Sequence, residues 1–159
     1  MVQKTWHGCS WTGKEMTGAT TITPTDFVAK PAADAFCVSG SVGPTYESVA
    51  LLGFNVNEAP PASCAFKPAD TTALPAVVPT GTGVAVNFVK KGTDTSFTLR
   101  VQIQGPNGAT SAADRWCATI VETQGKIFVP YTSFTPSCWE TTAEKRGTPY
   151  AKQPISTVV

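Results

Sequence analysis

The chain has 159 residues, a formal net charge of +1 and only 14% charged residues, against about 25% in an average globular protein. No run of Lys or Arg is longer than the pair Lys90-Lys91, so the chain lacks the basic patch that nucleic-acid binding requires. No stretch approaches the roughly 18 consecutive apolar residues of a membrane span. We therefore expect one domain over residues 1–159, with no nucleic-acid partner and no membrane partner.

Apolar residues alternate with period two in several short segments, which indicates β-strands. Thirteen prolines and thirteen glycines interrupt the chain, and few stretches of a dozen residues escape both, so helices are not expected. The predicted strands are residues 36–42, 49–57, 83–89, 96–104, 116–122 and 125–130, with another beginning at Pro154. Residues 105–108 close a hairpin through Asn107-Gly108. The pattern predicts an all-β fold, a two-sheet antiparallel β-sandwich or jelly roll.

The cysteines bear on the compartment of the protein. They are Cys9, Cys37, Cys64, Cys117 and Cys138. None has CxxC spacing, so a zinc site is not expected. We expect two disulfides and one free thiol, which indicates a secreted, extracellular protein. Cys117 and Cys138 flank a strand–turn–strand segment and are the favoured pair, whereas the pairing of the other three stays open. Buried free thiols in a cytosolic protein are the alternative.

The two ends of the sequence suggest a larger parent protein. No apolar signal-peptide segment follows Met1, and the last predicted strand is interrupted at Val159. We expect a piece of a longer secreted protein, acting as a monomer within a multidomain chain.

The strand at residues 97–104 has one apolar and one polar face, because successive side chains of a strand point to opposite sides. The apolar side carries Phe97, Leu99, Val101 and Ile103, and the polar side carries Thr98, Arg100, Gln102 and Gln104. Residues 52–57 repeat the pattern: the apolar side carries Leu52, Phe54 and Val56, and the other side carries Gly53, Asn55 and Asn57. Such rows are either the solvated side of an antiparallel sheet or a binding surface.

Amide and guanidinium rows suit sugar hydroxyl groups, which need paired donors and acceptors. Carbohydrate sites usually add an aromatic ring for the apolar face of the sugar. The candidates in loop-like sequence are Trp6, Trp11, Tyr131, Trp139 and Tyr150, whereas Trp116 is predicted to lie in the core.

The succession of residues 36–42, 50–57, 99–104 and 116–120, followed by 127–134 and Cys138-Trp139, resembles the galactose-binding-domain-like β-sandwich. More narrowly, it resembles carbohydrate-binding modules of secreted bacterial glycoside hydrolases. The resemblance implies two antiparallel sheets, a concave face that binds a glycan chain, and often a structural Ca²⁺ near the loops. By position it implies that Arg100, Gln102, Gln104, Asn55 and Asn57 lie on that face. No calcium cluster is evident, because Glu15, Asp26 and Glu47 are scattered.

A catalytic function is the weaker interpretation. A glycosidase needs two carboxylates roughly 5–10 Å apart; Glu122 and Glu140 are the best candidates, but no spacing singles them out. His7 is the only histidine, so a Ser-His-Asp site, or a Cys-His site with Cys9, would depend on it. We predict a non-catalytic module that binds a polysaccharide, a β-glucan or a related plant or microbial glycan. The alternatives are a protein-binding adhesion or assembly domain, or a β-sandwich hydrolase or lyase.

Overall fold

A computed structural model describes residues 8–15, 18–25, 27–28, 37–57, 75–89, 98–121 and 124–159. The strands are β1 (Ser10–Lys14), β2 (Thr21–Thr23), β3 (Phe27–Val28), β4 (Ser39–Ser41), β5 (Ala50–Asn55), β6 (Gly83–Val89), β7 (Leu99–Gln104), β8 (Arg115–Ile120), β9 (Gln124–Pro130) and β10 (Thr157–Val158). One four-residue helix, α1 (Ala143–Arg146), and the 3₁₀ turns Ala112–Asp114 and Tyr131–Ser133 complete the described elements. The prediction of a mostly β, antiparallel fold is confirmed.

The described residues form two compact units, the first within Met1–Ala76 and Ser156–Val159 and the second within Val77–Ile155. In the first unit the strands follow the order β3-β1-β5-β10, and β2 pairs with β4. All of these pairs are antiparallel. Its buried residues are largely small or polar and include Cys9, Ser10, Thr12, Thr20 and Ser156.

The second unit contains two antiparallel strand pairs. β6 pairs with β9 from Gly83↔Pro130 to Val89↔Gln124, and β7 pairs with β8 from Leu99↔Ile120 to Gln104↔Arg115. The buried apolar side chains include Val84, Val101, Ile103, Trp116, Ile120, Val129 and Phe134. This unit matches the predicted strands well, because its apolar residues alternate as an amphipathic strand requires.

The first unit departs further from the prediction. The sequence pattern missed β1, because the buried positions of that strand are the polar Ser10 and Thr12. It also missed β2, which has three residues and one buried apolar side chain, Ile22. The predicted strand at 36–42 is reduced to β4, and the one that begins at Pro154 is reduced to β10.

The predicted Cys117–Cys138 disulfide is confirmed, with an S–S distance of 2.07 Å and a Cα–Cα distance of 5.4 Å. Cys37 is free and exposed. Cys9 is also disulfide-bonded, and Cys64 lies outside the described residues. No helix within the described ranges is long and apolar enough to cross a membrane.

Candidate functional site

The polar side of β7 faces away from the core, as the alternation predicts. Val101 and Ile103 are buried, the latter completely. Arg100 is exposed, and Gln102 and Gln104 are half-buried. The predicted directions of the β7 side chains are therefore confirmed, whereas Phe97 lies outside the described residues.

The neighbouring strand β8 continues this polar face. The register places Thr119 opposite Arg100, Cys117 opposite Gln102 and Arg115 opposite Gln104. Paired residues of antiparallel strands point to the same side of the sheet. We call this surface, formed by Arg100, Gln102, Gln104, Arg115, Cys117 and Thr119, the polar face.

Three contacts attach Cys138 to the polar face. Its sulfur is bonded to Cys117, its backbone N–H donates to Cys117 Sγ at 3.3 Å, and its carbonyl accepts from Thr119 Oγ1 at 3.4 Å. The next residue is Trp139, whose side chain is 48% exposed. The disulfide thus attaches the backbone just before an exposed aromatic residue to β8.

The hairpin turn between β7 and β8 contacts the end of the polar face that carries Gln104 and Arg115. Arg115 Nε donates to the Gly108 carbonyl, and Arg115 Nη2 donates to the Ala109 carbonyl at 3.0 Å. A Cβ on Gly108 would lie 2.5 Å from the Cβ of Gln104, so this turn packs closely against Gln104. The guanidinium of Arg115 is engaged with the turn, whereas Arg100 makes no ion pair within the described ranges.

A groove of about 550 Å³ is lined by residues of β8, of β9 and of the loop that follows β9. Its lining includes Thr119 on β8, Val121 just after β8, Phe128 on β9, and Trp139 and Glu140 in the loop. Phe128 is 57% exposed, so two exposed aromatic side chains line the groove. Phe128 is not among the residues that the sequence pattern singles out. It nevertheless lies on the side of β9 opposite to Ile127 and Val129, because successive side chains of a strand alternate.

One buried hydroxyl in the groove lining has no hydrogen-bond partner. Thr135 is 7% exposed, and its Oγ1 is without a partner in the part of the chain that the structure describes. No sequence pattern signals this residue, because it lies in a loop. Nearby, Arg146 Nε donates to the Glu140 carbonyl at 2.7 Å, which ties the helix α1 to the loop after Trp139.

Asn55 lies in the interior rather than on an exposed sheet face. Asn55 is 6% exposed, and its Oδ1 accepts from Trp11 Nε1 at 3.2 Å and from Thr157 Oγ1 at 3.3 Å. A Cβ on Gly53 would lie 2.2 Å from the Trp11 ring, so Trp11 covers this side of β5. The predicted core side is therefore inverted for Gly53 and Asn55, which are buried, whereas Leu52 and Phe54 are half-buried.

Asn57 is half-buried, and its Nδ2 donates to the Ala76 carbonyl at 3.3 Å. Asn55 and Asn57 belong to the first unit and the β7 row belongs to the second. The structure thus gives Asn57 an internal bond and does not support a ligand role for either asparagine.

Tyr131 and Tyr150 are core residues rather than exposed aromatic residues. They are buried, and their ring centroids lie 5.3 Å apart. Burial raises the pKa of Tyr131, and burial together with Tyr131 raises the pKa of Tyr150. Trp116 is buried as predicted and packs edge-to-face on Tyr150 at 5.2 Å. Trp6 lies outside the described residues.

The other candidate residues do not form a recognisable site. Glu122, His7 and Asp26 lie outside the described residues, and Glu140 is half-buried. The Glu15 carboxylate accepts from the backbone N–H of Thr20 at 3.2 Å and from that of Val49 at 2.9 Å. Across the described ranges, no group of three or more His, Cys, Asp or Glu side chains could hold a metal ion, so the expected Ca²⁺ stays a prediction.

Comparisons with protein-family models, with curated proteins and with solved structures give no match to this chain. The function of the chain must therefore be inferred from the chemistry of the polar face and of the groove.

Proposed function

We propose that this chain is a non-catalytic carbohydrate-binding module of a secreted, multidomain protein, folded as a two-sheet β-sandwich. It would bind a polysaccharide, a β-glucan or a related glycan, across the polar face with Trp139 as the stacking residue. The observation that carries the proposal is the exposed Trp139, which follows the disulfide-bonded Cys138 on the strand pair that carries the polar face; Cys117, the partner of Cys138, is opposite Gln102 in that pair.

The chemistry of these side chains suits a sugar. An indole ring offers a flat apolar surface for the C–H face of a pyranose. Gln102 offers one amide acceptor and two donors, and Arg100 offers only donors. Together they can donate to sugar hydroxyl oxygens and accept from sugar hydroxyl protons. Gln104 takes part at the end of the row, where the hairpin turn restricts it.

Preorganisation supports the proposal further. Binding is weakened by the ordering of side chains and loops at the site. Here the disulfide, the Cys138 N–H and the Thr119 hydroxyl already fix the backbone that carries Trp139. A glycan would therefore meet a site whose main elements are in place before binding.

Affinity gel electrophoresis tests the proposal, with soluble β-glucans and other polysaccharides cast into separate gels. The wild-type chain should be retarded by at least one glycan, and Trp139→Ala should weaken that binding about tenfold, since an aromatic contact contributes roughly 0.5–1.5 kcal/mol beyond burial. Tyr46→Ala is the matched control, because Tyr46 is an 88% exposed aromatic residue of the first unit. Absence of retardation on every glycan, or equal losses in both variants, would contradict the proposal.

An enzyme remains the weaker alternative. Glu140 is the single carboxylate among the described residues that line the groove, whereas glycoside hydrolysis uses two. Release of reducing ends or of unsaturated sugars from any of the same polysaccharides would favour a hydrolase or a lyase instead.

A further inference from the structure

The polar face carries positive charge and no acidic residue. It consists of two guanidinium groups, two amides, one hydroxyl and one disulfide-bonded cysteine, none of which carries a negative charge. A surface with charges of a single sign attracts ligands of the opposite sign and disfavours those of its own. The polar face is therefore suited to an anionic ligand rather than to a cationic one.

The charge of the second unit has the same sign as that of the polar face. Between Val77 and Ile155 the sequence has eight lysine or arginine residues and five acidic residues, a formal charge of +3. The first unit has four basic and six acidic residues, a formal charge of −2. The small net charge of the chain thus hides a positive unit, and that unit carries the polar face. Its field favours the approach of an anion.

The two guanidinium groups of the polar face differ in what they already bind. Arg115 uses Nε and Nη2 to donate to the carbonyls of Gly108 and Ala109. Arg100 is exposed, and none of the described residues forms an ion pair or a hydrogen bond with its guanidinium. Arg115 therefore adds charge to the face, whereas the N–H donors of Arg100 are available to a ligand.

The acidic residue next to Arg115 is held at the hairpin turn, away from Arg100. Asp114 Oδ2 accepts from the Asn107 N–H at 2.9 Å, and a Cβ on Gly105 would lie 2.1 Å from Asp114 Oδ1. Arg100 is four positions from Gln104, the last residue of β7, which is about 13 Å at 3.3 Å per residue. Because charges are screened over about 8 Å at physiological salt, Asp114 does little to neutralise Arg100.

The residues around Arg100 offer hydrogen-bonding groups for a sugar ring. Thr119 is exposed and lies opposite Arg100, and Gln102 follows on the same side of β7. The Thr119 hydroxyl donates to the Cys138 carbonyl, so its oxygen can still accept from a hydroxyl group of a ligand. A guanidinium binds a carboxylate through two parallel hydrogen bonds. A uronic acid combines the two requirements, because it has a carboxylate and several hydroxyl groups on one ring.

We propose that the polar face selects acidic glycans, and that the Arg100 guanidinium binds the carboxylate of a uronic acid while Gln102 and Thr119 bind its hydroxyl groups. This inference rests on the proposed carbohydrate-binding function and names the ligand class of the same site. A neutral glycan leaves the guanidinium without an anionic partner. An acidic chain therefore binds more tightly than a neutral chain with the same backbone.

Pairs of polysaccharides that differ only in charge test the proposal. Polygalacturonate, alginate and hyaluronan are each cast into affinity gels, beside the same polymer after reduction of its carboxylates to primary alcohols. The wild-type chain should bind at least one acidic form about tenfold more tightly than its reduced form, because hydrogen bonds between charged groups are stronger than neutral ones. Added salt should narrow this difference, because Arg100 is exposed to solvent.

Three variants separate the guanidinium of Arg100 from the general charge of the unit. Arg100→Gln should reduce the preference for the acidic form to within about twofold, because an amide cannot form the charged pair. Arg100→Lys keeps the charge but lacks the planar guanidinium, so it should retain only part of the preference. Lys126→Gln is the matched control, because it removes one positive charge from an exposed residue of β9, and it should keep the wild-type preference.

The failure of this inference and the failure of the carbohydrate proposal give different results. If no acidic polymer binds more tightly than its reduced form, while a neutral glycan is bound, only this inference is overturned. Equal losses of preference in Arg100→Gln and Lys126→Gln would also overturn it. So would equally tight binding of poly-L-glutamate, because its carboxylates are not on a sugar. Absence of binding to every acidic and neutral glycan would contradict both proposals.

Discussion

Strands β5 and β7 each carry polar side chains at alternating positions, one row in each unit. On β7 the Arg100 side chain is exposed and Gln102 is half-buried. On β5 the Asn55 side chain is buried, and it accepts hydrogen bonds from Trp11 and Thr157. The same alternation therefore produces a surface in one unit and an internal hydrogen-bond network in the other.

The difference lies in the strands that flank each row. β1 presents Trp11 to β5, and Gly53 leaves the space that the indole fills. A small amide such as Asn55 can be buried once its polar atoms are bonded. A guanidinium is much harder to bury without an acidic partner, so Arg100 keeps its side of β7 in contact with solvent. Alternation thus defines two faces, and the neighbours decide which face is covered.

The largest expected effect comes from removing the disulfide that attaches Cys138, the residue before Trp139, to β8. The double variant Cys117→Ala/Cys138→Ala should lose about 2–4 kcal/mol of unfolding free energy, measured by urea unfolding, and should bind glycan more weakly because the backbone before Trp139 is released. Cys37→Ser is the matched control, since Cys37 is a free, exposed cysteine. If the double variant keeps full glycan affinity, the anchoring of Trp139 by the disulfide does not matter for binding.

The next effect tests the buried row on β5. Asn55→Ala leaves the Trp11 N–H and the Thr157 hydroxyl without their acceptor, so we expect a loss of about 1–3 kcal/mol in unfolding free energy, with glycan binding unchanged. Asn87→Ala provides the comparison, because Asn87 is an exposed residue of β6, and it should change stability by less than about 0.5 kcal/mol. A stable Asn55→Ala chain with impaired glycan binding would return Asn55 to the ligand site.

The sequence could predict the second unit better than the first for physical reasons. The alternation of Val101 and Ile103 with Arg100 and Gln102 identifies β7, its core face and its polar face. It cannot identify β1, where Ser10 and Thr12 are the buried side chains. Trp139 is a sequence candidate, but the attachment of its neighbour Cys138 to β8 depends on the Cys117–Cys138 bond. The unpaired Thr135 hydroxyl arises from three-dimensional packing and has no local sequence pattern.

A smaller effect is expected on the exposed row itself. Arg100→Ala and Gln102→Ala should each leave the melting temperature nearly unchanged, because neither side chain belongs to the core. Each should weaken glycan binding by about 0.5–1.5 kcal/mol per lost hydrogen bond, and more for the charged Arg100, as measured by titration calorimetry. A large drop in melting temperature would show instead that these side chains support the fold.

The smallest effect concerns Glu15 in the first unit. Like the Asn55 amide, its carboxylate accepts hydrogen bonds from other residues of the same unit. Burial raises its pKa, but hydrogen bonds involving Thr20 and Val49 outweigh burial and lower the pKa from 4.5 to about 2. Because the pKa is lower in the folded state, the ionised carboxylate stabilises the native state at pH values above the unfolded-state pKa of about 4.5. This stabilisation is lost as the pH falls from about 4.5 towards 2. The protection of the Thr20 and Val49 amides against exchange, relative to their intrinsic rates, should therefore fall in that pH range. Glu15→Gln should remove the pH dependence at these two amides, and an unchanged profile in that variant would assign the acid sensitivity to another carboxylate.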